Sequence, residues 1–192
     1  MAGETKPPAG ETKPPAGETK PRRGGPERKA KLAEKNYWDD LLAMRDQQRE
    51  QIRTGLQVVK ETELPLESNR QGSMRWYMHP SIKDTALSTM VFFQQEIPPG
   101  SRSGRIKFQG GQVILVLEGK GYSVIDGVKH AWEAGDVLNL PLQPRGIIVQ
   151  HFNTDPDVTV KFVATEPNWT ESTFVDRGCG FEQLEDAPEY RR

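Results

Sequence analysis

The chain has 192 residues, 34% of them hydrophobic, and a formal net charge of -1. Its length suits one domain with extensions, and its charge excludes a general attraction to nucleic acid or acidic lipids. A single cysteine, Cys179, excludes an intramolecular disulfide, as is usual in a reducing compartment. The start of the chain lacks the apolar core of a secretory signal, and no apolar run is long enough to span a bilayer. We therefore expect a cytoplasmic protein without nucleic-acid or membrane partners.

The first part of the chain, 1–35, is predicted to be a disordered tail. The sequence AGETKPP begins at Ala2, recurs at Ala9 and recurs again, slightly trimmed, at Ala16. Prolines in every copy exclude a helix, and the side chains are too small or too polar to offset the entropy lost on ordering. The basic residues that follow, up to Lys35, have no aromatic residues among them and are interpreted as a solvated lead-in to a helix.

A helix followed by an extended arm is predicted over 36–87. Asn36 is a good N-cap residue with Asp39 three places on, which resembles a capping box, and Gly55 is predicted to end the helix. We expect the apolar face of this helix to pack on its own domain or on a sister subunit, with a partner-binding face as the alternative. The face contains Trp38, Leu41, Leu42, Ile52 and Leu56.

From Ser88 onward the pattern changes to short strand-like runs separated by turn residues. Asp126-Gly127 between two alternating runs indicates a hairpin. Many short strands at regular spacing indicate a β-sandwich or a jelly-roll barrel, which we place at 88–165, and we expect 166–192 to wrap its outside. The predicted strands are 89–93, 112–117, 121–125, 137–140, 146–150 and 158–162.

Two motifs in this region carry a family resemblance. The first cupin motif runs Gly, five residues, His-x-His, three or four residues, Glu, six residues, Gly. Gly100 and Gly119 have the same separation as the two glycines of this motif. Gly135, with a proline six places on, resembles the start of the second cupin motif, which ends here near Asn153. The resemblance covers roughly 88–163. It implies an all-β fold, a single cupin (double-stranded β-helix, jelly-roll) barrel. The N-terminal helix and the disordered N-terminal tail predicted above precede this barrel.

The residues at the metal-ligand positions of the two motifs do not match the cupin ligands. In metal-binding cupins, the two histidines and the glutamate of the first motif and one histidine of the second bind iron, manganese or a similar ion. At the first three positions this chain has Ile106, Phe108 and Gln112, and the fourth is Val149 if Asn153 closes the second motif. A transition-metal site needs several imidazole, thiolate or carboxylate donors. We therefore expect no metal to be bound by this chain.

Other alignments of the two motifs do not restore the metal site. Aligning the second motif from Pro141 gives Gly146 as the fourth position, which has no side chain to offer. Shifting the first motif by one residue brings Arg105 and Lys107 to the histidine positions. These cations repel a divalent ion.

The three histidines are weighed separately. His151 shares a strand face with Val149, so it is the candidate catalytic residue, a general base, or a group that hydrogen-bonds a ligand in the barrel. The alternative is a structural histidine whose hydrogen bonds are satisfied. His130 is expected to be exposed on a hairpin arm, and His79 is expected to pack in an aromatic segment before the barrel.

Three functions remain open, and whether the chain is itself an enzyme is undecided. In the first, it is the non-catalytic, structural or regulatory subunit of a hetero-oligomeric cupin enzyme, with another cupin subunit as partner. The region from Pro98 to Gly121 resembles barrels of gentisate and hydroquinone dioxygenases, some of which combine a small subunit without iron with a large iron-bearing one. The resemblance therefore implies an aromatic-ring-cleaving dioxygenase with iron in the partner subunit.

The two alternatives place chemistry in this chain. In one, a homodimer binds or senses a small organic ligand in the barrel. In the other, the chain is a metal-independent isomerase with His151, Tyr77 or Tyr122 as base. The predicted ligand-binding residues are Ile106, Phe108, Gln112, Val149 and His151.

Overall fold

The computed structural model describes residues 24–169 and 182–190. The chain divides into two compact units, residues 1–45 and 46–192. Helix α1, Pro26–Ala33, and the first half of helix α2, Tyr37–Thr54, belong to the first unit. None of the helices in the described part of the chain is long and apolar enough to cross a membrane.

Helix α2 begins and ends where the sequence predicts. The Asn36 side-chain oxygen accepts hydrogen bonds from the backbone N–H groups of Trp38 and Asp39, at 3.1 and 3.3 Å, and its amide donates to the Asp39 carboxylate at 2.6 Å. Gly55 follows the last helical residue. No residue of α2 is buried, and Trp38 is 69% exposed.

Helix α1 lies within the segment 1–35, which the sequence predicts to be a disordered tail. The structure therefore differs from that prediction. Pro26 lies in the first turn of this helix, where a missing N–H group removes no hydrogen bond. Glu27 in the first turn and Lys31 in the last turn both interact favourably with the helix dipole. The sequence interpretation considered only the positive charge of this stretch and missed the proline start signal. The AGETKPP repeats lie outside the described residues.

The remaining fold consists of two antiparallel sheets. Within the described residues the strands are β1 Glu67–Asn69, β2 Gly72–Met78, β3 Met90–Ile97, β4 Arg105–Phe108, β5 Gln112–Glu118, β6 Lys120–Ile125, β7 Val128–Glu133, β8 Val137–Leu140, β9 Ile147–Asn153, β10 Val160–Pro167 and β11 Glu182–Glu185. The six-stranded sheet has the order β1-β2-β3-β10-β5-β8, and the five-stranded sheet has the order β11-β4-β9-β6-β7. The expectation of an all-β jelly-roll fold with an N-terminal helix is confirmed.

The six predicted strands correspond to β3, β5, β6, β8, β9 and β10. The predicted hairpin joins β6 to β7, with Ile125 opposite Val128. Its two turn residues, Asp126 and Gly127, have φ of 48° and 84°, as a two-residue type I′ turn requires.

Four strands, β1, β2, β4 and β11, were not predicted, and β7 was expected only as the second arm of the hairpin. β1 and β2 lie in the segment expected to be a helix and arm, 36–87, and they extend the six-stranded sheet beside β3. β4 carries charged residues, Arg105 and Lys107, on alternate positions, which hid its short apolar pattern. β11 belongs to the segment 166–192, and it pairs with β4 at the edge of the five-stranded sheet.

The core lies between the two sheets. On β5, alternate side chains are buried in it, as the alternation of a half-buried strand requires. Ile114 and Phe162 come from the six-stranded sheet, and Ile147 and Val149 come from the five-stranded sheet; each is at most 2% exposed. The motif glycines Gly100, Gly119 and Gly135 all have positive φ, between 66° and 97°, so backbone geometry explains the retained glycine spacing.

Asn153, the last residue of β9, connects several segments of the barrel by hydrogen bonds. Its side-chain amide donates hydrogen bonds to the backbone carbonyls of Ile97, Pro98 and Val158, at 2.8–3.0 Å. Its side-chain oxygen accepts a hydrogen bond from the backbone N–H of Asp155 at 2.8 Å. One buried side chain therefore joins β9 to the end of β3 and to the loop before β10.

We expect Asn153→Ala to lower the free energy of unfolding by about 3 kcal/mol, because it leaves several buried backbone groups without partners. For a chain of this size the melting temperature falls by roughly 6–12 °C. Denaturant unfolding of both proteins measures the change. Asn139→Ala is the matched control, since Asn139 is exposed on β8, and it should change stability by less than about 0.5 kcal/mol. Equal effects of the two substitutions would contradict this role of Asn153.

Candidate functional site

Three of the predicted site residues meet on the inner face of the five-stranded sheet. β4 and β9 are antiparallel neighbours, with Ile106 opposite Val149 and Phe108 opposite Ile147. Phe108, Ile147 and Val149 belong to the buried core, and the partly buried Ile106 packs against it. Ile106, Phe108 and Val149 are therefore neighbours inside the barrel. They occupy the two histidine positions of the first motif and the histidine position of the second motif.

The register also decides between the alternative alignments. Arg105 and Lys107 alternate with the inward residues of β4, and Arg105 is exposed and lies 4.0 Å from the Glu185 carboxylate. Gly146 precedes β9 and has φ of 73°. Neither alternative frame therefore places its side chains in the core, and Val149 occupies the inward fourth position.

Gln112 lies in the opposite sheet, at the start of β5, where it is buried. Its side-chain amide donates a hydrogen bond to the Glu166 carboxylate on β10, at 2.9 Å. Burial raises the pKa of Glu166, and the hydrogen bond from Gln112 partly counteracts that rise. Glu166 could not be identified from the sequence, because only the pairing of β10 with β5 brings it to Gln112.

His151 is the centre of a buried polar trio. Its Nδ1 atom lies 2.7 Å from the Ser123 hydroxyl on β6, and the Trp132 indole N–H on β7 donates to that hydroxyl at 2.9 Å. The His151 ring meets the Phe162 ring of the opposite sheet edge-on, at 5.1 Å between centroids. Burial lowers the pKa of His151 to about 4, so the imidazole is neutral at physiological pH.

The hydrogen-bond roles in the trio follow from its donors. Because Trp132 can only donate, the Ser123 oxygen accepts from it and the Ser123 hydroxyl proton is free to point at His151. We assign the neutral imidazole as the acceptor at Nδ1, with its own proton on Nε2. The sequence analysis missed Ser123 and Trp132, because their approach to His151 depends on strand register rather than on a motif.

The other singled-out residues lie apart from the trio. The His79 ring packs edge-on against Trp76 at 4.9 Å, which confirms its packing in the aromatic segment. His130 is exposed on β7, as expected. Cys179 lies outside the described residues.

The residues at the motif positions do not fit a metal ion. Ile106, Phe108 and Val149 have no donor atoms, and the Gln112 amide is engaged with Glu166. Within residues 24–169 and 182–190, no group of three or more His, Cys, Asp or Glu side chains could hold a metal. No metal-dependent step can therefore be derived for this chain.

Two pockets in the described part of the chain do not include the predicted ligand-binding residues. A groove of about 430 Å³ has Leu56, Leu87, Tyr77 and Phe92 among its lining residues. A second pocket, of about 300 Å³, has Gly119, Glu133 and Asp155 among its lining residues. None of the five predicted ligand-binding residues lines either pocket.

No protein-family model matches the chain, and no curated protein matches it. Among solved structures, the polyketide cyclase RemF from Streptomyces resistomycificus overlaps 67% of this chain and 85% of its own, with 18% identity and a TM-score of 0.51. Salicylate 1,2-dioxygenase from Pseudoaminobacter salicylatoxidans overlaps 62% of this chain, with 14% identity and a TM-score of 0.49. This chain spans 31% of the length of that dioxygenase chain.

A cupin-like protein from Thermotoga maritima overlaps 62% of this chain and 87% of its own, with 19% identity and a TM-score of 0.45. At these identities the comparisons concern the fold alone. The overlap with RemF agrees with the two antiparallel sheets. This chain has the cupin jelly-roll fold.

Proposed function

We propose that this chain is a metal-free cupin that acts as the non-catalytic, structural or regulatory subunit of a hetero-oligomeric cupin enzyme. The observation that carries the proposal is the packing of Ile106, Phe108 and Val149 at three motif positions inside the barrel. These apolar side chains are good core fillers, whereas unpaired polar ligands left in the same place would be costly to bury. Their packing supports a barrel that is stable without an ion.

On this proposal the reacting metal belongs to the partner. A cupin partner that keeps its own ligands would supply iron, and the present chain would supply a barrel of the same fold for assembly. The sequence resemblance to gentisate and hydroquinone dioxygenases favours an aromatic-ring-cleaving dioxygenase as the complete enzyme.

The surroundings of His151 favour a structural role over a general base. Its ring partner is the neutral Ser123 hydroxyl rather than a carboxylate, and no titratable side chain raises its pKa. A base with a pKa near 4 is weak at physiological pH. The isomerase alternative therefore has less support than the subunit proposal.

The proposal is tested by native mass spectrometry of the protein purified from its own host, with metal content measured on the same sample. We expect a mixed assembly in which a second, larger cupin chain carries the metal. Purification of the chain only as a metal-free homo-oligomer would remove the hetero-oligomer proposal. One metal ion per copy of this chain alone would contradict the interpretation of the motif positions.

Restoring the ligands tests the geometry of the motif positions. We expect the variant with Ile106→His, Phe108→His, Gln112→Glu and Val149→His to bind one Fe²⁺ or Mn²⁺ per chain, because these side chains then provide imidazole and carboxylate donors. Calorimetric titration and metal analysis after desalting measure the stoichiometry, and circular dichroism confirms folding.

The control places histidines on the outer face of the same strand pair, with Lys107→His and Ile148→His, which are opposite each other in the register. This control and the wild-type chain should retain no stoichiometric metal. A folded four-residue variant that binds metal no better than the control would show that these positions do not form the metal site of the fold.

A buried neutral His151 makes stability depend on pH. The unfolded histidine takes up a proton near its ordinary pKa of 6.5, whereas the folded one resists protonation down to about 4. The stability that His151 contributes is therefore present above pH 6.5 and is lost as the pH falls towards 4. We expect the free energy of unfolding to fall by about 3 kcal/mol more in the wild type than in His151→Gln over this window.

Denaturant unfolding across that pH range measures the difference. Contributions from other groups, including Glu166, are common to both proteins and cancel. His130→Gln is the control, because His130 is exposed on β7, and its pH dependence should match the wild type. A His151→Gln profile parallel to the wild-type profile would show that His151 is not held neutral by burial.

A further inference from the structure

Helix α2 carries its large apolar residues on one side. An α-helix turns by about 100° per residue, so residues three, four and seven positions apart share a side. Five large apolar residues of α2 fall within an arc of roughly 120°, and each of them is 48–69% exposed. These residues, which we call the α2 apolar arc, are Tyr37, Trp38, Leu41, Met44 and Ile52. A group of large exposed apolar residues on one side of an element indicates an interaction site.

The acidic residues of α2 lie mainly on the opposite side of the helix. Asp39, Asp46 and Glu50 are centred about 160° from the middle of the arc. Asp46 is paired with Arg49 at 3.7 Å, and Glu50 is paired with Arg53 at 2.6 Å. The α2 apolar arc itself contains no acidic residue. A negatively charged surface that contacts the arc would therefore meet no carboxylate there.

The stretch immediately before α2 is strongly basic. Residues 20–35 contain seven Lys or Arg residues and two Glu residues, a net charge of +5. The whole chain carries -1, so the residues outside this stretch together carry -6. The weak overall charge, which predicts no general attraction to acidic lipids, therefore hides a concentrated positive segment. Clusters of about four to eight Lys and Arg residues beside an amphipathic helix are typical of binding to acidic lipid headgroups.

The apolar arc and the basic stretch together suit attachment to a membrane surface. Apolar contact and electrostatic attraction to acidic lipids add to each other when an amphipathic helix lies in the plane of the headgroups. In that orientation the arc is buried at the boundary between headgroups and acyl chains. Tyr37 and Trp38 lie at the level where amphipathic aromatic rings are favoured. The acidic side of the helix then faces water.

A lipid surface fits the arc better than a protein groove does. By helix geometry, Arg45 and Gln48 lie inside the arc, between its apolar residues. A closed protein interface would remove water from both polar side chains, and each would need a partner within that interface. At a lipid surface, a long polar side chain keeps its end in water while its stem stays among apolar groups. The guanidinium of Arg45 also suits the phosphates of the headgroups.

The attachment that these features support is peripheral, since no helix among the described residues is long and apolar enough to cross a membrane. We propose that helix α2 lies on the surface of an acidic lipid bilayer. The α2 apolar arc enters the boundary between headgroups and acyl chains, and the positive charge of residues 20–35 attracts the acidic headgroups. Nucleic acid would satisfy the basic stretch but would leave the apolar arc without a role.

The experiment is co-sedimentation of the purified full-length chain with vesicles of phosphatidylcholine and phosphatidylserine. We expect these vesicles to be bound at least about tenfold more tightly than vesicles of phosphatidylcholine alone, because only the acidic ones attract the basic stretch. High salt should remove most of this preference, since it screens the attraction.

Two matched variants test the contact made by α2. Leu41→Glu should weaken binding to the acidic vesicles more than about tenfold, because it places a charge at the centre of the arc. Ala43→Glu is the control, since Ala43 is exposed on the opposite side of the same helix. Both variants add one negative charge to α2, so their difference reports burial of the arc. Ala43→Glu should bind within about threefold of the wild type.

A second measurement locates Trp38. Lipids with brominated acyl chains quench the fluorescence of a tryptophan that lies in the bilayer. The chain has four tryptophans, so the comparison is between the wild type and Trp38→Phe, which keeps an aromatic ring. We expect brominated vesicles to quench the wild type more strongly than this variant.

Circular dichroism without lipid establishes that each variant keeps the secondary structure of the wild type. If Leu41→Glu fails to fold, Ile52→Glu takes its place with the same expectation. Failure of the wild type to bind acidic vesicles would overturn the proposal, as would equal binding by Leu41→Glu and Ala43→Glu. A lipid-free assembly of the wild type that Leu41→Glu abolishes would assign the arc to a protein contact instead. The result does not depend on the proposed function, because neither a metal nor a second kind of subunit enters the measurement.

Discussion

The pairing of β4 with β9 is the constraint on which the interior of this protein depends. A strand presents alternate residues to opposite faces, so a shift of one residue would exchange all inward side chains for outward ones. The observed register turns Ile106 and Val149 into the barrel and leaves Arg105 and Lys107 outside it. The inward placement of Ile106, Phe108 and Val149 follows from this register. The charged residues on the outer face make the alternative register energetically unacceptable, since they would be buried without partners.

The interior also contains buried polar side chains, which form two separate hydrogen-bonded groups. Ser123 and His151 satisfy each other with the help of the Trp132 indole, whereas Gln112 and Glu166 form a separate pair nearer the start of β5. Buried polar groups with satisfied hydrogen bonds help to select one arrangement of the core, because any repacking would break those bonds. The two hydrogen-bonded groups therefore contribute more to the selection of one packing arrangement than to the free energy of unfolding.

The sequence predicted the parts of this fold that are encoded locally. The Asn36 cap, the Asp126-Gly127 turn and the positive-φ glycines each depend on neighbouring residues, and the structure has all of them. Helix α1 is also local, but its Pro26 start signal was given too little weight.

The parts of the fold that the sequence did not predict depend on residues that are distant in the chain. β2 carries the aromatic residues of the arm, and its pairing with β3 could not be derived from periodicity alone. The polar stretch Gln94-Gln95-Glu96 hid the second half of β3, because its side chains are buried by partners from other elements. The same limit applies to the site. Ile106, Phe108 and Val149 could be located by motif spacing, whereas Glu166, Ser123 and Trp132 reach their partners only through strand order.

The position of β10 has a consequence for how the chain folds. It is the last strand of the six-stranded sheet in sequence, yet it lies in the middle of that sheet, between β3 and β5. Its pairs with β3 join residues more than 60 positions apart, and such non-local pairing slows folding. During synthesis, β3 and β5 lack the strand that lies between them until β10 has left the ribosome. In that interval their apolar residues and open edges are accessible, so this is the stage at which assistance from a chaperone would matter most.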